Sequence, residues 1–506
     1  REIAGKYPVS RFFLDCMAPS PCICPICVAK MKELGINWEN QREVENFSSF
    51  SILNLCKDIA QAVKEIMPEP LLYFNGPGYE DQINSATYLE CECLPTCPGW
   101  GYDHLPVLSH HMRTLGDMPV LNMTGRFYDW GDFGGLRTQA GIEYDLFYGL
   151  ANEMRPNIGD HFHPRGDINY PAFDMVKKIY HNLRRYEEWS DGAKTFAEVA
   201  VIFPKSGPEI RRDKGLRGIT RMLSELKIQF DIVTEASDWS KYKVLLLPDS
   251  VTLSSESAKR IKAHIKAGKG VISSGWSGLD MDKKHFVLED EWGIKFIKDS
   301  NCYPAYFEGD MPLALYARGT EVAALQKTRI RKKIIKPYYN AHWDGEHAFY
   351  YCPPDQVCDL PLLTVKEKVA HFSFPIFSGY HEKAAKHLRD IFSEVLDEFL
   401  TDKMLVIENA PSFLKAFVTI QPNRKIVHLL AYLPELRGQI QIVEEELLCK
   451  DVKISLQDNE AEISRAYLAP DKTPCQFERK DNYIEFRLPE VKGYVMLIFE
   501  MDKNLL

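Results

Sequence analysis

Short apolar stretches alternate with helix-length segments from the N-terminus to about Trp189, a pattern typical of parallel α/β construction. Five of these stretches predict strands: "RFFLDC", "LLYFNG", "ATYLECEC", "PVLNMTG" and "NIGDHF". A helix is predicted after the first of them, because apolar residues recur there at helical spacing: Ile52, Leu55, Ile59, Val63 and Ile66.

Each predicted strand ends in a polar residue suited to chemistry: Asp15, Asn75, Glu92, Asn122 and Asp160. In a (β/α)8 barrel the active site lies at the C-terminal ends of the strands, so this repeated placement predicts a barrel. Five units are too few to close one. We therefore interpret them as the last five units of a (β/α)8-type barrel whose first three are absent from this chain.

A second α/β block begins near Phe196. Strands are predicted at "FAEVAVIF", "IQFDIV", "VLLLP" and "GVISSG", with helices at 215–226 and 254–267, which together predict a flavodoxin-like open sheet. A last helix at about 384–400 carries Leu388, Ile391, Val395 and Phe399 on one face. The aromatic-rich stretch "PYYNAHWDGEHAFYY" is interpreted as loop.

From about Leu405 the pattern changes to alternating strands separated by turn residues, which predicts an antiparallel β-domain. The fold class is therefore α/β with three domains. Their predicted bounds are 1–193 for the barrel part, 194–402 for the flavodoxin-like domain and 403–506 for the β-domain.

Composition and charge narrow the class of partner. The chain has 506 residues, is 45% hydrophobic and 26% charged, and has a net charge of -9. A protein with net negative charge binds the phosphate backbone of nucleic acids poorly, so we do not expect a nucleic-acid partner. No apolar run reaches the roughly 20 residues that span a bilayer, so we expect no membrane partner.

The cysteines bear on the compartment. They number 13, and their uneven spacing does not fit a disulfide scaffold, which favours a reducing, cytoplasmic compartment. The first residue is Arg1 rather than Met, so the sequence leaves open whether a signal peptide lies upstream.

Several motifs in order carry a family resemblance: "FFLDC" with "CICPIC", "YLECECLP" with "WGYDHLP", "NMTGRFYDWGDFGG", "NIGDHFHPRG", "SGWSGLD" and "PYYNAHWDGEHAFYY". Over nearly the whole chain they resemble glycoside hydrolases with a β-galactosidase-type trimerisation domain, and within that group the α-L-fucosidases most. The resemblance implies a retaining exo-glycosidase that acts on a saccharide, needs no cofactor for catalysis and forms a homo-oligomer, a trimer or a multiple. A β-galactosidase, a glycosidase for another sugar and an inactive carbohydrate-binding relative remain alternatives.

Glycoside hydrolysis needs two carboxyl groups, one to protonate the leaving oxygen and one to act as nucleophile or base. By resemblance Asp15 is the nucleophile. Glu90 and Glu92 lie two residues apart on a strand and so share one face, and one of them is expected to be the acid. Glu92 is preferred because it lies nearer the strand end, with Glu90 second. The alternative for each is a solvated loop carboxylate.

A sugar pocket combines aromatic faces with fixed polar groups. Residues of both kinds end or follow the predicted strands, and we expect them to bind the sugar: Asn75, Trp100, Tyr102, His104, Asn122, Arg126, Trp130, Asp132, Asp160, His161, His163 and Arg165. Taken singly, a tryptophan is more often core and an arginine more often a surface ion pair.

The stretch "HWDGEH" lies outside the barrel, in the second block. In a symmetric oligomer His342 and Trp343 could reach a neighbour's pocket. A loop at a domain interface explains the same residues equally well.

Cys22, Cys24 and Cys27 have the spacing C-x-C-x-x-C, at which three thiolates can converge on one zinc ion. The related β-galactosidases imply a structural zinc here, with Cys16, Cys56 or a residue elsewhere as fourth ligand. A site without metal is the alternative, since three cysteines do not close a tetrahedral site. Cys91 and Cys93 alternate with the glutamates and are interpreted as packing.

Overall fold

The computed structural model describes residues 1–203, 210, 212–460 and 462–501. The last five residues of the predicted β-domain, 502–506, lie outside the described residues. The fold is mixed α/β.

The N-terminal region contains the five predicted strands, and these pair in parallel. Its elements are α1 (Glu2–Lys6), β1 (Arg11–Leu14), α2 (Pro25–Glu33), α3 (Gln41–Lys64), β2 (Leu71–Phe74), α4 (Tyr79–Gln82), β3 (Leu89–Glu92), α5 (His104–Met112), β4 (Val120–Gly125), α6 (Gln139–Leu150), β5 (Met154–Gly159), α7 (Tyr170–Arg184) and α8 (Glu187–Ser190). β1 pairs with β2, and β3, β4 and β5 form a second sheet in that order. The carboxyl ends of the strands in each sheet therefore point the same way.

One detail of this region differs from the sequence prediction. β4 continues to Gly125, so Asn122 lies inside the strand rather than at its end. The helix α3 is confirmed: its buried apolar residues are Val44, Phe47, Cys56, Ala60 and Val63, whereas Leu55 is exposed, as is Ile66 after the helix ends. Val44 and Phe47 pack with residues of α2, whereas Cys56, Ala60 and Val63 pack with the strand β2, together with the partly buried Ile52 and Ile59.

The middle region holds a nine-stranded sheet that extends beyond the predicted four strands. Its elements are β6 (Lys194–Thr195), β7 (Val199–Ile202), α9 (Lys214–Glu225), β8 (Phe230–Val233), β9 (Val244–Leu247), α10 (Ser255–Lys266), β10 (Gly270–Ser274), α11 (Glu289–Trp292), β11 (Ile294–Asp299), β12 (Ala305–Phe307), β13 (Leu313–Leu315), β14 (Thr320–Ala324), β15 (Arg329–Pro337), β16 (His342–Trp343), β17 (Ala348–Phe349), β18 (Pro354–Lys366), β19 (Val369–Phe372), α12 (Ile376–Lys383) and α13 (Lys386–Phe399).

The strand order of this sheet is β13-β12-β15-β18-β19-β10-β9-β7-β8. The five strands from β19 to β8 are parallel, and the four from β13 to β18 add on antiparallel. The stretch that was interpreted as loop contains a hairpin, β16–β17, so that interpretation is wrong in part. Aromatic side chains of this hairpin face solvent, which hid the strand pattern.

The C-terminal region is antiparallel, as the alternating pattern predicts. Its strands are β20 (Leu405–Glu408), β21 (Lys415–Gln421), β22 (Arg424–Ala431), β23 (Glu435–Arg437), β24 (Ile440–Ile442), β25 (Leu448–Gln457), β26 (Ile463–Ala469), β27 (Thr473–Pro474), β28 (Glu478–Lys480) and β29 (Tyr483–Met501). The short strand β6 pairs with β21, so residues 194–195 join this sheet and not that of the middle region.

The three regions pack on one another through buried side chains. The ring of Phe147 on α6 stacks on that of Tyr494 on β29, with centroids 4.0 Å apart. Arg113, just after α5, donates from Nε to Oδ1 of Asp231 on β8 at 2.8 Å, and both side chains are nearly inaccessible. These contacts connect the N-terminal region to each of the other two regions. Within the described residues, no helix is both long and apolar enough to cross a membrane.

Candidate active site

Asp15 follows β1 directly and is exposed. Its Oδ1 accepts two hydrogen bonds of 2.9 Å, one from Nδ2 of Asn75 after β2 and one from the backbone N–H of Cys16. Both donors bond to the same oxygen, which orients the carboxylate and leaves Oδ2 without a hydrogen bond among the described residues. A side chain at Gly76 would approach the backbone nitrogen of Ala18 to 2.3 Å, so glycine is what lets the two loops meet here.

Glu90 lies in β3 and is only 6% exposed. Burial raises the pKa of its carboxyl to about 7, and the negative charges of Glu92 and Asp15 add to the rise. Nδ2 of Asn157 on β5 lies 3.5 Å from Oε2 and acts in the opposite direction. Because Glu92 and Asp15 both act on Glu90, the three carboxyl groups share one electrostatic environment.

Glu92 is the last residue of β3 and is half-buried. Its Oε1 accepts a 3.0 Å hydrogen bond from Nε1 of Trp130, in the loop after β4. Its backbone carbonyl lies 3.0 Å from Nε2 of His104, which begins α5. The ring of His104 packs on Trp100 with centroids 4.6 Å apart. The carboxylate of Glu92 is therefore partly accessible to solvent, and its orientation is held by the hydrogen bond from Trp130.

The loop that carries Trp130 is held by Arg126, a buried side chain. Its Nη1 donates to the backbone carbonyls of Phe133 and Gly135 at 3.0 and 2.6 Å. Its Nε donates to Oδ1 of Asp160, just after β5, at 2.5 Å. Arg126 thus joins the ends of two neighbouring strands, and both charges are compensated by hydrogen bonds in a buried position.

His161 completes an aromatic surface next to this loop. Its ring stacks on Phe127 with centroids 4.1 Å apart and meets Trp130 edge-on at 5.3 Å. Its Nε2 accepts from the backbone N–H of Gly131 at 3.3 Å, so Nδ1 carries the proton in the neutral ring. Trp130 stays 51% exposed, which leaves an aromatic face open to a ligand beside Glu92.

The structure does not bring every predicted residue to this place. Asn122 is fully buried, and its Nδ2 donates to the backbone carbonyl of Asp145 at 2.6 Å. Tyr102 is buried as well, with its hydroxyl 3.3 Å from Nη2 of Arg137. Among the described contacts, both side chains bond within the core and not to the carboxylates, and Oδ1 of Asn122 has no hydrogen-bond partner there.

Three further predicted residues lie in the surrounding loops. Asp132 is half-buried and accepts from the backbone N–H of Gly135 at 2.7 Å, which closes a turn. Nδ1 of His163 accepts from the backbone N–H of Arg165 at 3.2 Å, and Arg165 is exposed and paired with Asp167 at 2.6 Å. These contacts shape the loops locally.

His342 and Trp343 form one strand of the exposed hairpin β16–β17. The ring of His342 stacks on Phe349 with centroids 4.6 Å apart, and Trp343 is 62% exposed. The hairpin thus presents an aromatic surface in the middle region, apart from the carboxylates of the N-terminal region.

The Sγ atoms of Cys22, Cys24 and Cys27 all lie within 4.8 Å of one another. Cys24 precedes α2, and the backbone N–H of Cys27 lowers the pKa of its thiol to about 7, whereas hydrogen bonding to Cys24 raises the pKa of Cys27 to about 11. Three converging sulfurs, one of them readily ionised, fit a zinc ion. Cys16 is not part of this group among the described residues, and Cys56 is buried in a hydrophobic cluster, so neither is placed as the fourth ligand. Cys91 and Cys93 are buried in the core.

Two residues of this site escaped the sequence analysis. Asn157 donates to Glu90, and Arg11, whose guanidinium lies 5.4 Å from the ring centroid of Tyr88, lowers the pKa of Glu90. Asn157 is a polar residue within the predicted strand "NIGDHF", which was a usable signal. Arg11 begins a strand and gave no such signal.

Comparisons with known proteins agree with this layout. Residues 208–296 match the family of β-galactosidase trimerisation domains. The α-L-fucosidase isoenzyme 2 from Paenibacillus thiaminolyticus superposes with a TM-score of 0.91 at 27% identity, over 99% of this chain and 79% of that one. A search of curated proteins finds no match.

Two β-galactosidases share the fold. The enzyme from Bacillus circulans sp. alkalophilus has a TM-score of 0.64 at 13% identity, over 91% of this chain and 68% of that one. The enzyme from Rahnella sp. R3 has a TM-score of 0.61 at 13% identity, over 90% and 67%. The protein thus has the architecture of glycoside hydrolases that carry a β-galactosidase-type trimerisation domain. The resemblance predicted from the motifs is confirmed, and among these structures the likeness is greatest to the α-L-fucosidase.

Proposed function

We propose that the protein is a retaining exo-glycosidase that removes terminal α-L-fucose, with Asp15 as nucleophile and Glu92 as acid/base. The observation that carries the proposal is the grouping of Asp15, Glu90 and Glu92 at the carboxyl ends of parallel strands, beside the exposed face of Trp130. The choice of sugar rests on the likeness to the α-L-fucosidase from P. thiaminolyticus.

In this mechanism Asp15 Oδ2 attacks the anomeric carbon while a glutamic acid protonates the departing oxygen. A glycosyl ester of Asp15 forms, and the same glutamate then takes a proton from water as that water hydrolyses the ester. Asn75 and the N–H of Cys16 hold Asp15 Oδ1, which orients the attacking oxygen.

Glu92 is assigned the acid/base role because it is half-buried and directed by Trp130, so it can reach a leaving oxygen. Glu90 has the pKa that suits an acid at neutral pH, but its carboxyl is buried against Asn157. Glu90 is therefore the second candidate, and variants of each residue separate the two.

The sugar would lie over Trp130 and His161, with Trp100, His104 and the loop residues Asp132, His163 and Arg165 around it. Arg126 and Asp160 hold the loop in place and act through it. Contacts of this kind supply an apolar face and directional hydrogen bonds to a monosaccharide ring.

The N-terminal strands are assigned to a (β/α) barrel, within 1–193. The middle region, 194–402, is assigned to a flavodoxin-like domain, because its parallel strands follow the order 2-1-3-4-5 in chain order. Residues 403–506 are assigned to a third domain, an antiparallel β-sandwich. The match to trimerisation domains favours a homotrimer, in which the hairpin with His342 and Trp343 reaches a neighbour's pocket.

A structural zinc held by Cys22, Cys24 and Cys27 would fix the segment between β1 and α2, which follows Asp15. Its role is to order that loop, and it takes no part in catalysis. All 13 cysteines are free thiols, which fits a cytoplasmic protein.

The test is hydrolysis of a panel of nitrophenyl glycosides that includes the α-L-fucoside and the β-D-galactoside. Release from the α-L-fucoside alone supports the proposal. Release from the β-D-galactoside alone would replace the fucosidase with a β-galactosidase and leave the two-carboxylate mechanism intact. Failure to release any of them, by a folded protein, would favour a carbohydrate-binding role.

A further inference from the structure

The segment that follows Asp15 carries a pair of cysteines at the start of a helix, in the sequence Cys-Pro-Ile-Cys. Cys24 is the residue immediately before α2, Pro25 begins the helix, and Cys27 is its third residue. In a protein with free thiols, two cysteines separated by two residues at such a position are typical of thiol–disulfide exchange. The zinc proposed above uses these sulfurs as ligands only, whereas their arrangement also suits a covalent reaction.

The first turn of α2 is held by its own backbone and by packing. The carbonyl of Cys24 accepts a 2.9 Å hydrogen bond from the N–H of Val28, and a proline at the first helical position is preorganised for the helix. Further along α2, Met31 is fully buried against Val44 and Phe47 of α3. The two cysteines are therefore attached to a well-packed helix.

The spacing of the pair fits a disulfide. The Sγ atoms of Cys24 and Cys27 lie within 4.8 Å of one another. Residues three apart in a helix have Cα atoms about 5 Å apart, which falls inside the range of about 4.4 to 6.8 Å that disulfides require. A bond between the two sulfurs is thus compatible with the backbone of this turn.

The two sulfurs differ in access. Cys24 is exposed, whereas Cys27 is partly buried and packs against the cluster around Met31. Ile26, which lies between them, is 82% exposed, so the tip of the turn is open to solvent. An incoming reagent therefore reaches Cys24 first, and Cys27 lies within reach of Cys24 for a second step.

Most other thiols of the chain are shielded. Of the 13 cysteines, seven are buried, and the partly or fully exposed ones outside the cluster are Cys16, Cys358 and Cys475. Cys22 belongs to the same cluster and is exposed, but it precedes the helix. Cys22 is the alternative partner for Cys24 that an experiment has to separate.

We propose that Cys24 and Cys27 form a reversible dithiol–disulfide couple, oxidised by a small disulfide such as glutathione disulfide. The sulfur of Cys24 attacks one sulfur of glutathione disulfide, which releases one glutathione and leaves the other bound to Cys24. The sulfur of Cys27 then attacks the Cys24 sulfur, closes the intramolecular bond and releases the second glutathione. The cysteines lose two electrons, glutathione disulfide gains them, and the two thiol protons end on the two glutathiones.

Oxidation of the pair has a consequence for the cluster. Zinc is bound by thiolates, so a Cys24–Cys27 disulfide would leave Cys22 as the one remaining thiol of the three and exclude the ion. Disulfides of reducing compartments are usually transient and serve redox sensing. The couple would thus make the segment after Asp15 respond to the redox state, independently of any hydrolysis.

Disulfide mapping on the full chain tests this. The protein is freed of metal with EDTA and equilibrated with oxidised and reduced glutathione at about 1 mM each. Its free thiols are then blocked with iodoacetamide, and thiols released by reduction are labelled with N-ethylmaleimide. Tandem mass spectrometry is expected to find the maleimide on Cys24 and Cys27 in more than about half of the molecules, with no glutathione mass on the intact chain.

Reversibility is part of the same test. Dithiothreitol, added before the thiols are blocked, is expected to abolish the maleimide label on both residues. Iodoacetamide on Cys24 and Cys27 after equilibration with glutathione would overturn the proposal. Maleimide on Cys22 together with only one of the pair would overturn it as well, since the pairing would then be different.

Variants assign the order of the two steps. Cys27→Ser is expected to accumulate glutathione on Cys24, about one per chain, because the second step is removed. Cys24→Ser is expected to slow the reaction of glutathione disulfide with the remaining residue, Cys27, by about tenfold or more. A Cys22–Cys24 disulfide formed by Cys27→Ser at the parent's yield would contradict the pairing.

Cys22→Ser and Cys358→Ser are the matched controls. Cys358 is partly buried in β18, with Sγ 3.2 Å from the carbonyl oxygen of Ile334. Both variants are expected to form the Cys24–Cys27 disulfide at the parent's yield, and its loss in either would contradict the proposal.

The mapping uses metal-free protein, so it gives an answer whether or not the cluster holds zinc. Asp15→Asn is expected to form the same disulfide, so that failure of the proposed catalytic function and failure of this inference give different results.

Discussion

The indole Nε1 of Trp130 donates a 3.0 Å hydrogen bond to Oε1 of Glu92. The two residues come from the ends of adjacent parallel strands, β4 and β3, which pair from Leu89↔Val120 to Glu92↔Met123. An exposed aromatic face is thereby attached to a carboxylate. This is the combination that binds a sugar ring and places its glycosidic oxygen near a proton donor.

Replacing Trp130 by Phe keeps an aromatic ring and removes the hydrogen bond. If Glu92 is the acid/base, its carboxyl loses its fixed direction, and kcat/KM for the α-L-fucoside is expected to fall by about tenfold or more. Steady-state kinetics on the purified variant check this.

The matched control is Trp276→Phe, because Nε1 of Trp276 donates to the Asp299 carboxylate at 2.7 Å in the middle region. That variant is expected to retain the parent kcat/KM. Equal losses in both variants would mean that indole–carboxylate bonds act through general stability.

The raised pKa of Glu90 is expected to make the stability of the folded protein depend on pH. Its pKa is raised to about 7 in the fold from an ordinary 4.5, so the folded protein binds a proton more tightly than the unfolded chain does. Stability is therefore expected to fall as the pH rises from about 4.5 to 7, and to be independent of this group above pH 7. The full effect is about 3 kcal/mol.

Glu90→Gln removes this titration. Urea unfolding at pH 5 and pH 8 is expected to show a smaller loss of stability for the variant than for the parent, and the difference isolates Glu90 from all other groups. The same loss in both proteins would show that Glu90 ionises normally. Retained hydrolysis by Glu90→Gln, with loss in Glu92→Gln, would support Glu92 as the acid.

Arg126→Lys keeps the positive charge but has a single nitrogen, whereas Arg126 bonds Asp160 through Nε and the two carbonyls through Nη1. We expect a destabilisation of about 2 to 3 kcal/mol in urea unfolding, together with reduced activity because the Trp130 loop is released. Arg155→Lys is the control, since Arg155 pairs with Asp191 at the surface, where a change below about 1 kcal/mol is expected. A destabilisation by Arg126→Lys as small as that of Arg155→Lys would contradict the inference that Arg126 holds the Trp130 loop in place.

The cysteine cluster predicts bound zinc. Elemental analysis of the purified protein is expected to give about one zinc per chain, lost in Cys24→Ser and Cys27→Ser and retained in Cys16→Ser, because three sulfurs converge without Cys16. Zinc loss in Cys16→Ser would make Cys16 a ligand after a loop rearrangement. Absence of zinc from the parent would leave the cluster without a metal.

Much of the architecture could be predicted from periodicity. Buried parallel strands such as "VLLLP" are continuous apolar runs, and β9 is where that run predicts it. The antiparallel half of the middle sheet was missed, because strands such as β15 carry lysines and arginines and are exposed in part. The helix α3 is where the recurrence of apolar residues predicts it, and Ile52, Ile59 and Val63 pack with the strand residues Leu72 and Phe74.

The sequence predicts the positions of those candidate-site residues that lie at the end of a strand. Asp15, Asn75 and Glu92 lie there, and the structure brings the first two into direct contact. Asn122 and Tyr102 do not lie beside the carboxylates, for a physical reason. Asn122 in mid-strand and Tyr102 beneath a loop each make a hydrogen bond in the core, and the sequence spacing does not show which side chains face solvent.

Trapping of the covalent intermediate tests directly whether Asp15 is the nucleophile. The protein is treated with 2-deoxy-2-fluoro-α-L-fucosyl fluoride, digested and analysed by tandem mass spectrometry. If Asp15 is the nucleophile, a fluorofucosyl adduct forms on Asp15, and the protein loses activity in step with its formation. Labelling of another carboxylate, or turnover of fucosides with inversion and no adduct, would contradict it.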